Sequence, residues 1–242
     1  MSKKGCMIQK LIVLALLIPI LACNNIDKPA QTSNTHMNTE QNLLESMSKQ
    51  NLQGFTWMNE PEEFQFFDGS LKIKTGEKMD FFNNPENKEI TANAPLLYKE
   101  LEGDFVATAL VKPNFYDIWN ACSIVIHMDA THWIKLAFEN SDATGKSIVT
   151  VVTNEISDDA NGAILNKEDV IWLRVIRKGN IYALHWSKNG NDFYMARLAA
   201  MPAFESVKVG LEAQCPAGER AEHEFLYFSI EQKTVSDLRK GQ

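Results

Sequence analysis

The chain has 242 residues, of which 45% are hydrophobic and 23% are charged, and its formal net charge at pH 7 is −7. The hydrophobic content indicates a folded globular protein and argues against an intrinsically disordered chain. The excess of acidic residues argues against nucleic-acid binding, which requires a basic surface, and against docking onto anionic lipid by charge alone.

Residues 1–22 have the layout of a secretory signal peptide. Three lysines lie among the first ten residues, and an almost unbroken apolar run over 11–22 ends on a small alanine. The run is shorter than the roughly 20 apolar residues that span a bilayer, which argues against an uncleaved membrane helix. An ordinary cleaved signal peptide is the remaining alternative to a lipoprotein signal.

The segment Ile20-Leu21-Ala22-Cys23 resembles the lipobox of bacterial lipoproteins. This resemblance implies cleavage before Cys23 and attachment of a diacylglycerol to its thiol, whose two acyl chains suffice for stable anchoring. Removing residues 1–22 takes three lysines away, so 21 basic residues remain against 31 acidic ones and the net charge becomes about −10. We therefore expect a protein of the bacterial cell envelope that is lipid-anchored to a membrane, either in the periplasm or on the outer surface.

Residues 23–50 are rich in Asn, Gln, Thr and Ser and show almost no apolar period. This composition predicts a flexible polar tether between the lipid and a folded domain. Within it, Leu43, Leu44 and Met47 have the spacing of a single helical turn.

From residue 51 onward, short segments of alternating apolar and polar residues are separated by Gly, Asn, Asp and Pro. The predicted strands are 71–75, 105–111, 122–128, 133–139, 147–153, 170–177, 181–187, 207–213 and 224–231. Asn189-Gly190 is the strongest hairpin signal, because a type I′ turn needs positive φ at both central residues. Short strands without a long amphipathic helix predict an all-β sandwich over 51–232, followed by a C-terminal tail over 233–242.

Eight segments of this region, taken in order, resemble one family. They are Phe55-Thr56-Trp57-Met58-Asn59-Glu60-Pro61, Leu71-Lys72-Ile73-Lys74-Thr75, Met79-Asp80-Phe81-Phe82, Gly103-Asp104-Phe105, Trp133-Ile134-Lys135-Leu136-Ala137-Phe138-Glu139, Trp172-Leu173-Arg174-Val175-Ile176-Arg177, Ser187-Lys188-Asn189-Gly190 and Val209-Gly210-Leu211-Glu212-Ala213. The ordered set is similar to the concanavalin A-like family called "regulation of enolase protein 1", a domain of unknown function. The resemblance implies a jelly-roll β-sandwich of two antiparallel sheets, one of them curved, and it brings no established catalytic residues.

The segment 133–139 has the sharpest pattern of candidate binding residues. With a strand period of two, one face carries Trp133, Lys135, Ala137 and Glu139. The other face, which we expect in the core, carries Ile134, Leu136 and Phe138. An aromatic ring can stack on the apolar face of a sugar while charged neighbours bond its hydroxyls, so the pattern predicts a carbohydrate site. The alternative is a solvated strand face with an ion pair of little energetic weight.

Four further residues are candidate ligand contacts. Trp172 and Arg174 alternate with apolar residues along a predicted strand. Asp80 precedes two phenylalanines, and Glu212 lies within another predicted strand; a turn residue and an exposed strand position are their structural alternatives. The chain holds five tryptophans, and we expect most of them in the core because large aromatic side chains dominate sandwich cores.

Glycoside hydrolysis is the alternative from another functional class. It needs two carboxyl groups roughly 5–9 Å apart across a cleft. The Glu-x-Asp-x-x-Glu pattern of related sandwiches is absent, and Glu222 and Glu224 form the available pair on one strand face. Carboxylates on strands are mostly solvated surface, so the sequence favours a non-catalytic carbohydrate-binding domain. A structural or partner-binding lipoprotein without a small ligand is the third alternative.

No cofactor motif is present, since the sequence lacks a Gly-rich phosphate loop, a Gly-x-Ser-x-Gly elbow and a Cys-x-x-Cys pair. The spacing His-x-Asp-x-x-His, formed by His127, Asp129 and His132, is only a weak indication of a metal site. Calcium binding by the aspartates expected in loops stays an open alternative, although they lack the spacing of an EF-hand; they are Asp142, Asp158 and Asp159. We therefore predict neither a catalytic residue nor a metal ligand.

Two cysteines belong to the predicted domain, because Cys6 leaves with the signal peptide and Cys23 takes the lipid. An exported protein can hold a disulfide between Cys122 and Cys215. Both residues also lie in strand-like apolar runs, where a free thiol behaves as a small hydrophobic group. The sequence leaves both alternatives open.

Overall fold

A computed structural model describes residues 41–242. The predicted signal peptide, Cys23 and the tether as far as residue 40 lie outside these described residues. Within the described range the chain forms sixteen β-strands and one short 3-10 helix. No helix in this part of the chain is long and apolar enough to cross a bilayer.

Two seven-stranded antiparallel sheets make up most of the domain. The strands of the first sheet are, in spatial order, β1 (Thr56–Met58), β6 (Leu96–Glu102), β15 (Ser206–Gln214), β8 (Ala121–Asp129), β9 (His132–Ser141), β10 (Gly145–Asn154) and β11 (Ile156–Ile164). Those of the second sheet are β14 (Tyr194–Ala200), β13 (Ile181–Ser187), β12 (Ile171–Lys178), β7 (Phe105–Lys112), β16 (Arg220–Glu231), β3 (Ser70–Gly76) and β2 (Glu63–Phe67).

The main core lies between these two sheets and follows from the alternation along their strands. Ile134, Leu136 and Phe138 of β9 are buried in it, as the period of two predicts. Leu173 and Val175 of β12 are buried in the same core. Removing one apolar face of each sheet from water drives the sheets together. The predicted all-β sandwich of two antiparallel sheets is therefore confirmed.

A second, smaller core covers the outer face of the first sheet, the face turned away from the second sheet. A two-stranded hairpin of β4 (Phe81–Asn83) and β5 (Ile90–Ala92) contributes the buried ring of Phe81 to it. The sheet contributes alternate residues of β8, β9 and β10, including Val125, Trp133 and Val151. This hairpin turns part of an open sheet surface into a partly enclosed site.

The C-terminal end of the predicted tether belongs to the sandwich. A 3-10 helix, Leu43–Ser46, buries Leu44, and Met47 is buried beside it. The side chain of Asn42 donates to the carbonyl of Gly69 at 2.8 Å and accepts from the amide of Phe228 at 3.1 Å. Apolar side chains on one turn gain more from packing than from remaining in a flexible linker, so the ordered domain begins before residue 51.

The predicted C-terminal tail also packs on the sandwich. Val235 is buried against Ile176 and Ala183 on the outer face of the second sheet. His185 Nε2 donates to the carbonyl oxygen of Leu238 at 2.9 Å. These contacts hold the end of the chain against β12 and β13.

Two local predictions differ from the structure. Gly190 has φ +76°, but the connection from β13 to β14 is a longer loop in which Asn189 lacks positive φ, so no two-residue type I′ turn forms. Asp158 and Asp159 lie on the edge strand β11 and not in a loop. Exposed polar side chains are typical of edge strands, because they discourage pairing with another chain. This strand was therefore not predicted, because its polar composition lacks the alternation of apolar and polar residues.

Cys122 and Cys215 are free, buried thiols. Burial raises the pKa of both, that of Cys122 well above its ordinary value. Of the two alternatives for these cysteines, the structure shows the small buried hydrophobic group and not the disulfide.

Candidate functional site

The candidate residues of β9 lie on the outer face of the first sheet. Lys135 and Glu139 share this face with Trp133, as the strand period predicts, but Trp133 is only 1% exposed. The Phe81 ring of the β4–β5 hairpin covers the indole, with ring centroids 6.1 Å apart. The prediction that Trp133 presents an open stacking surface is therefore wrong for this side chain. A hairpin far away in the sequence buries the face that the strand pattern left open.

Lys135 is buried on this face and has three acceptors for its ammonium group. Its Nζ donates to Asp80 Oδ1 at 2.9 Å, to the carbonyl of Phe81 at 3.0 Å and to Gln214 Oε1 at 2.6 Å. Burial opposes its charge, but the surrounding carboxylates, led by Asp80, outweigh burial and raise the pKa of Lys135. The lysine therefore stays charged and ties the hairpin to β15.

Glu139 and Glu212 are buried acids on the same face. Burial raises the pKa of Glu139 to about 8 and that of Glu212 to about 7, although Lys135 acts to lower both. Gln214 Nε2 lies 3.4 Å from Glu139 Oε2, and a hydrogen bond from the Ser123 side chain acts to lower the pKa of Glu212. Glu139 is thus protonated at neutral pH and can donate a hydrogen bond.

Trp119, in the loop between β7 and β8, supplies an exposed aromatic ring beside this polar group. It is 38% exposed and has φ +63°, a value that is an outlier for a bulky residue. Its amide donates to the carbonyl of Asn140 at 2.7 Å, and its carbonyl accepts from Gln214 Nε2 at 2.7 Å. Both backbone groups of Trp119 are therefore held in place, and strain of this kind concentrates at functional sites.

A cleft of about 540 Å³ brings these groups together. Its floor is formed by the outer-face side chains Lys135, Glu139, Val149, Val151 and Gln214. One wall comes from Asp80 and the β4–β5 hairpin, namely Phe82, Asn84, Pro85 and Glu86. The remaining rim consists of Trp119, Ser141, Asp142, Asp159, Asn161 and Pro216. Mixed aromatic, apolar and polar lining in a volume of this size is typical of a site for a small organic ligand.

The predicted candidates divide between this cleft and other places. Asp80, Lys135 and Glu139 line the cleft together, and Glu212 is buried beside them. Trp172 and Arg174 lie on β12 of the other sheet, where the tryptophan ring packs on Tyr227 and the guanidinium covers the ring of Phe193 at 3.7 Å. The structure therefore brings together four of the predicted residues, Asp80, Lys135, Glu139 and Glu212. That these residues bind a ligand stays a prediction.

Gln214 and Trp119, which are central to the cleft, are not among the candidate residues predicted from the sequence. Gln214 follows Glu212 by two positions, so the strand period places both on one face, and this signal was available. Trp119 has no comparable signal, because it lies in a loop. Its position depends on partners from β9 and β15 that are distant in the sequence.

The other sequence patterns lie away from the cleft. Glu224 pairs with Lys112 at 3.1 Å and Glu222 approaches Lys72 at 3.9 Å, both on the second sheet. In the β8–β9 turn, Asp129 bonds His132, whereas His127 packs edge-on against Phe81. Among residues 41–242, no group of three or more His, Cys, Asp or Glu side chains is placed to hold a metal ion.

The chain is similar to a known sequence family and to a known protein. Residues 57–233 match the sequence profile of a family described as "Protein of unknown function (DUF1349)". The chain is also similar to "Regulation of enolase protein 1" of Saccharomyces cerevisiae, with 26% identity over 174 residues that cover 72% of this chain and 87% of that protein.

Solved structures with the same fold include a functionally unknown protein from Saccharomyces cerevisiae, with a TM-score of 0.70 and 24% identity over 75% of this chain and 98% of that chain. A GH43 protein from Bacillus licheniformis aligns with a TM-score of 0.61 and 13% identity over 81% of this chain and 40% of that chain. A xylan beta-1,4-xylosidase from Bacillus halodurans aligns with a TM-score of 0.57 and 12% identity over 71% of this chain and 35% of that chain. At these identities the likeness shows the fold alone.

Proposed function

Because the chain belongs to the DUF1349 family and its family-matching region is the β-sandwich, we propose that this sandwich is a non-catalytic carbohydrate-binding domain. The binding site in this proposal is the cleft beside Trp119. The observation that carries it is the exposed indole of Trp119, held with φ +63° at the rim of a cleft whose floor includes the polar side chains of Lys135, Glu139 and Gln214.

The chemistry of the cleft supports a sugar. The Trp119 ring offers an apolar plate for the C–H face of a pyranose or furanose ring. Glu139, protonated at neutral pH, supplies a donor, and Asp80 supplies charged acceptor oxygens for hydroxyl groups. The solved proteins that share the fold include GH43 proteins and a xylan xylosidase. Xylan and xylo-oligosaccharides are therefore the first glycans to test.

The test is a glycan-array screen of the purified full chain, followed by calorimetric titration of the glycans that bind. We expect Trp119→Ala to abolish binding. Phe67→Ala is the matched control, because Phe67 is an aromatic residue that is 67% exposed on β2 of the other sheet. Unchanged affinity of Trp119→Ala for every bound glycan would refute the proposed site.

One observation favours a second candidate function, glycoside hydrolysis. Glu139 lines the cleft as a protonated acid, the state that a general acid needs in order to protonate a leaving oxygen. Release of reducing ends from a bound glycan, lost in Glu139→Gln, would select hydrolysis. Binding without release in the wild-type chain selects the binding domain.

We propose in addition that lipid on Cys23 anchors the protein to a membrane of the bacterial cell envelope. The support is the sequence pattern around Cys23, which lies outside the described residues. Metabolic labelling with an alkyne fatty acid in a bacterial host should mark the wild-type chain and not Cys23→Ser. Equal labelling of both chains would contradict the anchor.

A further inference from the structure

We propose that the cleft selects uncharged saccharides and rejects glycans that place a uronate or a sulfate group in it. This inference rests on the proposed carbohydrate-binding function and specifies its class of ligand. It follows from the hydrogen bonds that Lys135 makes inside the cleft and from the positions of the acidic groups around the opening.

Lys135 has no donor left for an anionic ligand. Among the described residues that line the cleft, it is the only basic one. An ammonium group has three N–H donors and no acceptor. All three have protein acceptors within hydrogen-bond distance, on Asp80, Phe81 and Gln214. A ligand carboxylate would have to displace one of these three acceptors in order to reach the buried cation.

The hairpin wall and the rim of the cleft carry acidic groups on three separate elements. Glu86 lies in the turn of the β4–β5 hairpin, Asp142 in the β9–β10 connection and Asp159 on the edge strand β11. All three residues are exposed. Negatively charged carboxylates around an opening repel an anionic ligand. The same carboxylates accept hydrogen bonds from neutral hydroxyl groups. The rim therefore favours hydroxyl-rich ligands without charge.

The test uses an array in which each neutral oligosaccharide has a counterpart with one uronic acid in place of one neutral sugar. The full chain is assayed with EDTA present, so that no bridging cation carries an acidic glycan into the site. We expect each bound neutral glycan to bind at least about tenfold more tightly than its acidic counterpart. Equal or tighter binding of the acidic members overturns the inference and leaves the carbohydrate-binding function standing.

A charge variant tests the rim directly. The double variant Asp142→Asn, Asp159→Asn should narrow the affinity ratio between neutral and acidic members severalfold. The control pair, Asp68→Asn with Glu205→Gln, removes the same charge from exposed positions that do not line the cleft and should keep the ratio of the wild-type chain. An unchanged ratio in the rim variant contradicts the inference. No binding to any array member instead refutes the proposed function itself.

Discussion

Gln214 Nε2 donates a hydrogen bond to the backbone carbonyl of Trp119 at 2.7 Å, although the two residues are 95 positions apart in the chain. The same amide accepts from the buried Lys135 through Oε1 at 2.6 Å. One side chain thus links the cation under the cleft to the strained peptide at its rim. The stacking ring of the proposed site depends on this link.

Gln214→Leu removes both hydrogen bonds of this link. We expect a loss of roughly 1–3 kcal/mol in the free energy of unfolding, because a buried Lys135 donor is left unpaired. We also expect weaker glycan binding, since the Trp119 peptide is released. Urea unfolding measures the first effect and calorimetric titration the second. A variant as stable as the wild-type chain would show that these two hydrogen bonds contribute nothing to the free energy of unfolding.

Lys135→Met removes the cation from the acidic group that Asp80, Glu139 and Glu212 form around it. We expect the free energy of unfolding to fall by about 3–5 kcal/mol, because breaking a buried pair leaves Asp80 without its counter-charge. The double variant Lys135→Met, Asp80→Asn should recover part of this loss, and urea unfolding of all three variants measures the coupling. Lys74→Met is the control, since Lys74 pairs with Glu63 in an exposed position and should change stability little.

Glu139→Gln should change how stability depends on pH. The pKa of Glu139 lies at about 8 in the folded chain, above its ordinary value of 4.5, because of burial. Between these values the folded chain holds more protons than the unfolded chain, so the free energy of unfolding falls as the pH rises. The variant should lose this decline and be more stable than the wild-type chain at pH 8.

Chemical denaturation at pH 5 and pH 8 measures this difference. The histidines with a pKa of about 4, His127 and His223, make stability rise with pH below about 6.5. Both chains contain them, so their contribution cancels in the comparison. A wild-type chain whose advantage over the variant grows toward pH 8 would contradict the protonated state of Glu139.

Gly210→Ala should destabilise the first sheet. Gly210 lies on β15, and a Cβ there would come within 2.1 Å of the carbonyl oxygen of Leu97 on β6. Backbone atoms of a paired strand move only with the strand, so we expect a loss of about 1–3 kcal/mol. Gly76→Ala is the control, because its Cβ would meet only the flexible end of Met79 at 3.2 Å. Thermal unfolding of both variants measures the contrast.

Strand alternation in the sequence predicts much of the fold. The assignment of Ile134, Leu136 and Phe138 to the core is confirmed, because a period of two leaves a strand only two faces. The same argument places Lys135 and Glu139 on the opposite face. It does not reveal that Trp133 is covered, since the Phe81 hairpin that covers it lies outside the strand pattern.

The sequence by itself determined the sandwich, its inward-facing residues and the strand face that carries the polar group, because these depend on local periodicity. Only the tertiary structure decided which aromatic ring is exposed beside the cleft. Trp133 is buried by a distant hairpin, whereas Trp119 is held at the rim by the carbonyl of Asn140 and the amide of Gln214. Exposure and the pKa of a buried acid such as Glu139 depend on what packs against a residue, and distant segments of the chain supply that packing.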